Sequence, residues 1–128
     1  MAVGREILSY ENRAKLIALQ IDVGATGAVS AIRGRGVTSV TRNSAGKYTI
    51  VLDKPFKRVL AVPKVGMTGA GAPGPVDGVG SVDTTNVGAQ PTASVILYTA
   101  LTAAPTAAAD VANGTTINLV MHVSDSDV

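Results

Sequence analysis

The chain has one histidine and no cysteine in 128 residues, so nucleophilic and metal chemistry have few places to sit. His122 lies in the β-rich run 116–123 (TINLVMHV), where it alternates with Met121 and Val123 and so takes the opposite side of the pleat from them. Ser124 and Asp125 follow directly, but neighbours on a strand diverge, and a nucleophile, its base and the base's orienting group must converge. Without Cys, a second His or a close carboxylate cluster, no zinc site can be assembled. Asp125 and Asp127 have the spacing of some oxygen-ligand motifs, yet a solvated tail accounts for them more simply. Asp53 and Asp77 could be nominated as the two carboxylates that glycoside hydrolysis holds about 5–10 Å apart, but nothing in the sequence singles them out. Gly69–Gly74 (GAGAPG) matches G-x-G-x-x-G by letter. A dinucleotide site needs the third glycine inside a helix that faces the pyrophosphate, and Pro73 and Pro75 flank it here. Arg33-Gly34-Arg35-Gly36 resembles a minimal RNA-binding box, but a tight turn on a basic rim explains a single copy better. The expectation is a chain without catalytic residues, cofactor or metal.

Composition points the same way. Hydrophobic residues make up 46% of the chain, but the aromatics are only Tyr10, Tyr48, Phe56 and Tyr98. Ala and Val must carry much of the packing, and each removes little apolar area from water. Support from homo-oligomerisation or a docking surface is therefore expected. No apolar run reaches the length of a membrane span, and Met1–Tyr10 lacks the apolar stretch of a secretory signal, so no membrane partner and a cytoplasmic site of synthesis are expected. All 11 Lys and Arg lie between Arg5 and Lys64, accompanied by four acids. From Val65 onward there are five aspartates and no basic residue. Either the two halves interleave and the charges mix in space, or the molecule is bipolar with a basic face toward an acidic partner. Nucleic acid is not the expected partner, because the acidic half dilutes the field and few aromatics are available for base stacking.

Along the chain, residues 5–20 fit either an amphipathic helix or an arm leading into a strand at about 15–22. We take an N-terminal arm over 1–14 and one β domain over 15–128. A short strand over 28–32 precedes the Arg-Gly turn. Val37–Arg42 and Lys47–Leu52, joined by Asn43–Gly46, read as a hairpin whose second strand points Tyr48, Ile50 and Leu52 to one face. A strand over 58–65 carries Pro63 at an edge or bulge, 66–75 reads as an open loop, and 76–88 as one irregular strand. Ser94–Leu101 predicts a central strand, 107–114 (AAADVANG) a short helix stopped by Asn113-Gly114, and 116–123 the closing strand. Seven or eight strands with turns between them predict an all-β fold, a β-sandwich or jelly-roll-like barrel with an extended N-terminal arm.

The segment 24–52, GATGAVSAIRGRGVTSVTRNSAGKYTIVL, followed by DKPFKRVLAV, resembles small structural proteins of tailed bacteriophages, the head decoration or cement proteins among them. The likeness covers roughly residues 15–65. It implies a virion protein on the capsid surface that binds the major capsid protein and reinforces the shell by bridging neighbouring capsomers. The family has no catalytic residues to carry over. Charge and accessibility, rather than the resemblance, nominate Arg5, Arg13, Lys15, Arg33, Arg35, Lys54, Lys57 and Arg58 as partner contacts. Two alternatives share the β pattern: a tail, baseplate or fibre component, and a carbohydrate-binding β-sandwich, for which the chain offers few aromatic platforms.

Overall fold

The computed structural model describes residues 14–59, 63–69, 78–90, 92–101 and 104–124. Residues 1–13, with the nominated Arg5 and Arg13, lie outside them. The described chain is almost entirely antiparallel β. Its strands are β1 (Ala14–Val23), β2 (Val29–Gly34), β3 (Val37–Ser44), β4 (Lys47–Leu52), β5 (Arg58–Val59), β6 (Lys64–Gly69), β7 (Gly78–Asp83), β8 (Ser94–Leu101), β9 (Ala104–Ala108) and β10 (Thr115–Ser124). One sheet has the order β2-β1-β10-β5, with β6 also pairing β10. The other has the order β3-β4-β8-β7, with β9 also pairing β8. Among the described residues no ladder joins the sheets, and they pack face to face as a sandwich.

Period-two alternation explains why these segments become strands and which face each buries. In β1, Ile17, Leu19, Ile21 and Val23 are buried while Ala18 and Gln20 are exposed. In β10, Thr115, Ile117, Leu119, Met121 and Val123 are buried, and His122 stands exposed on the outer face opposite Leu16. Tyr48, Ile50 and Leu52 of β4 and Val95, Leu97 and Thr99 of β8 close the core from the other sheet. The buried cluster is mainly aliphatic, with Tyr48 and Phe56 its aromatic members.

The hairpin expected at 37–52 forms with a longer first strand, the expected second strand and a tighter turn. β3 reaches Ser44, the register shifts between Arg42 and Ser44, and Ala45-Gly46 makes the turn. Gly46 has φ +69°, and a Cβ there would collide with the backbone at Thr99 and Ala109, so the position requires glycine.

Three expectations are corrected. The strand expected over 58–65 is split: β5 pairs Ser124 and Val123, then β6 resumes at Lys64 opposite Val120. Pro63 sits at the break, where the missing N–H costs no ladder bond. The supposed open loop at 66–75 begins as strand, since β6 runs to Gly69 and packs Val65 and Met67 against the core. The helix expected at 107–114 does not form. Ala107 and Ala108 end β9, and 109–114 is an irregular connection whose Thr115 N–H bonds back to the Ala112 carbonyl. The Ala-rich composition suits a helix, but the segment is too short to outweigh pairing with β8.

The burial pattern predicts a sharp contrast within the β1–β10 pair. Leu119→Ala should lose about 2–5 kcal/mol of unfolding free energy in a denaturant titration. Leu16→Ala, at a position 58% exposed, should change it by no more than about 0.5 kcal/mol.

Candidate cationic docking end

β1 begins where β10 ends, with Ala14 opposite Ser124 and Arg58 opposite the same Ser124. The same end of the sandwich receives the turn after β2 and the loop after β4. The Asp53 N–H donates to the Gly36 carbonyl, the Phe56 N–H to Val87 and the Lys57 N–H to Ser124. These backbone bonds tie three separate segments to the end of the sheets. Gly36, at φ +85°, turns the chain close over Ile17.

Five of the nominated residues meet at this end. Lys15 continues the core-facing row of β1 past the sandwich edge, Arg35 sits on the β2–β3 turn, Lys54 and Lys57 lie on the loop after β4, and Arg58 opens β5. Lys15, Arg35 and Lys54 line one cleft of about 280 Å³ together with Leu16, Ile17, Gly36, Asp53 and Phe56. Its floor is apolar: Ile17 is 3% and Phe56 5% exposed. The Lys54 ammonium stands 5.4 Å from the centre of the Phe56 ring, within cation–π range. Asp53 is the carboxylate of the lining, and it accepts a hydrogen bond from the Thr38 hydroxyl at 2.7 Å. Neither Lys15 nor Arg35 forms an ion pair with a described residue.

Arg33 belongs elsewhere. It lies on the outer face of the first sheet, where its guanidinium donates to both Asp22 oxygens at 3.2 and 2.6 Å. That bond lowers the Asp22 carboxyl's pKa, with a further contribution from the Thr116 hydroxyl. An exposed pair of this kind contributes little stability.

The opposite end is closed differently. Arg42 donates to both oxygens of Asp110 at 3.1 and 2.6 Å, and the Gly46 N–H donates to the same carboxylate at 3.0 Å. Tyr48, fully buried, donates its hydroxyl to the Gly27 carbonyl at 2.6 Å. Burial, followed by the charge of Asp110, raises the phenol's pKa and keeps it a neutral donor. The arginine here is committed to holding loops together.

The cleft's apolar floor was missed in the sequence. The available signal was Phe56, the single phenylalanine, lying between Lys54 and Lys57. The five nominated residues that share this end are brought together by topology that no local pattern encodes. Of the features set aside, His122 is exposed and Gly69 ends β6. Among the described residues no group of three or more His, Asp or Glu is placed to hold a metal. No protein-family model, curated protein or solved structure matches the chain.

The closed end predicts an acid response. The Asp110 carboxyl is held below its ordinary value of 3.8, chiefly by the Arg42 hydrogen bonds and also by the Gly46 N–H, against a smaller opposing effect of burial. A depressed folded-state value stabilises the fold above the unfolded value, and that contribution is lost as pH falls through the folded value. In thermal melts, Asp110→Asn should therefore be less stable than wild type near neutrality. The gap should narrow between about pH 5 and pH 2. A constant gap across that window would contradict the assignment.

Proposed function

We propose that this chain is a non-catalytic structural virion protein that docks on the assembled head shell of a tailed phage and reinforces it, as a decoration or cement protein does. The observation that carries the reading is the meeting of Lys15, Arg35, Lys54, Lys57 and Arg58, from separate stretches of sequence, on one end of a rigid sandwich. The N-terminal arm is joined to that end through Ala14, so arm and cations can engage one surface. The nominated Arg5 and Arg13 extend the same charge along the sequence.

The physical logic is additive. A single exposed charge pair is worth little, but contacts repeated by symmetry across a lattice sum to useful reinforcement. Bridging of capsomers by a dimer or trimer would multiply each site's effective concentration. In this reading the partner is the major capsid protein, presenting an acidic surface. The resemblance over residues 15–65 supports the phage assignment, and the β-sandwich fold agrees with it.

A density map of the purified particle should place the chain on the head lattice, with the Ala14–Ser124 end toward the shell. Density confined to the tail, baseplate or fibre would overturn the head assignment in favour of that alternative. Bound protein should be released progressively as salt rises from about 0.1 to 1 M, because surface charge contacts are screened over that range. Deleting residues 1–13 should weaken association with shells while leaving the core folded. Undiminished binding by the truncated chain would remove the arm from the docking surface.

A further inference from the structure

The cleft at the cationic end is shaped for a specific chemistry beyond general attraction to negative charge. Its walls carry Lys15 and Arg35, while its floor is the hydrocarbon of Ile17 and Phe56 with Leu16 beside it. At about 280 Å³ the space falls just below the usual ~300–1,000 Å³ of small-molecule and cofactor pockets. It suits one or two side chains.

We propose that this cleft receives an acidic segment of a partner protein in which an apolar side chain lies next to a carboxylate. The carboxylate is held by Lys15 and Arg35, and the apolar group seats against Ile17 and Phe56. Charge complementarity selects the occupant. Arg35 offers a planar fork of donors that matches a carboxylate in two-point geometry, and Lys15 adds a point charge from the other wall. Asp53 repels a second carboxylate on its own side and so orients the segment. The turn that carries Arg35 is fixed by the Asp53 N–H bond to the Gly36 carbonyl, which lowers the ordering cost of binding. A nucleic-acid strand would find the positive charge, but the Asp53 carboxylate in the same lining repels its phosphates.

The inference rests on the docking reading for the identity of the partner, but its test contains no shell. The full chain, labelled for amide NMR, is titrated with the blocked pentapeptide Gly-Glu-Leu-Glu-Gly. Parallel titrations use the same peptide with Ala for Leu, with Lys for both Glu, and a short single-stranded DNA. The expected result is shifts at residues 15–17, 35–36 and 53–56. Binding should be severalfold weaker for the Ala peptide and absent for the Lys peptide. The double variant Lys15→Glu/Arg35→Glu should bind about tenfold or more weakly with its other resonances unchanged. If that variant fails to fold, Lys15→Gln/Arg35→Gln serves the same comparison. Shifts centred elsewhere, an equal response to the Lys peptide, tighter binding of DNA than of the acidic peptide, or no response at about 1 mM peptide would each overturn the proposal. Failure here leaves head localisation standing, and absence from the head leaves the cleft's selectivity standing.

Discussion

Nine consecutive residue pairs, from Ala14 opposite Ser124 to Asp22 opposite Thr116, join the first described strand to the last. On its other edge β10 also pairs β5 and β6, so the last strand lies in the middle of its sheet. This placement sets the core, because the buried rows of β1 and β10 are neighbours on one inner face. It also fixes register strictly. A slip of one residue would turn Ile117, Leu119 and Met121 toward solvent and bring Asn118 and His122 inside. Contacts spanning nearly the whole described chain carry a loop-closure cost before they return any stabilisation. The first sheet is therefore complete only when the last strand is in place.

With that ladder set, the ends of the sandwich are closed by contrasting chemistry. At one end polar groups do the closing: Arg42, Asp110 and the Gly46 N–H link the β3–β4 hairpin to the connection before β10, and Tyr48 bonds to Gly27. At the other end Phe56 plugs the core, and backbone bonds from Asp53, Phe56 and Lys57 hold the loop in place. A core rich in Val, Ile and Leu has modest area per residue, so these two aromatic residues matter beyond their number. Each sits where the sheets would otherwise open.

Alternation was legible wherever both neighbours of a strand supply packing. β4 and β8 are central in their sheet, and their periods could be read directly from KYTIVL and SVILYTAL. Edge segments were harder. KVGMTG in β6 alternates Val65 and Met67 with Lys64, Gly66 and Thr68, but its glycines and the glycine-rich run after it suggest a loop. Its pairing with β10 is a tertiary fact. The Ala-rich stretch failed for the opposite reason, because a local helix preference gave way to a ladder supplied by β8. Of the site, charge count and the Arg-Gly turn were visible. Which cations would share an end was not, since that depends on the turn after β2 and the loop after β4 meeting at the start of β1.

The division of charge along the sequence becomes a different asymmetry in space. β1 pairs with β10 and β4 with β8, so the basic and acidic halves interleave rather than forming opposed faces. Arg42 is neutralised by Asp110 from the acidic half, and Arg33 by Asp22 from its own. Lys15 and Arg35, which form no ion pair with a described residue, stand at one end of the sandwich beside Lys54, Lys57 and Arg58. A cation already paired within the fold must lose that partner before it can engage another, whereas Lys15 and Arg35 have no ion pair with a described residue to break. Their carriers, a strand end and a backbone-bonded turn, are already ordered. For the docking reading proposed above, this places the attractive groups where binding disrupts least of the fold and costs the least conformational freedom.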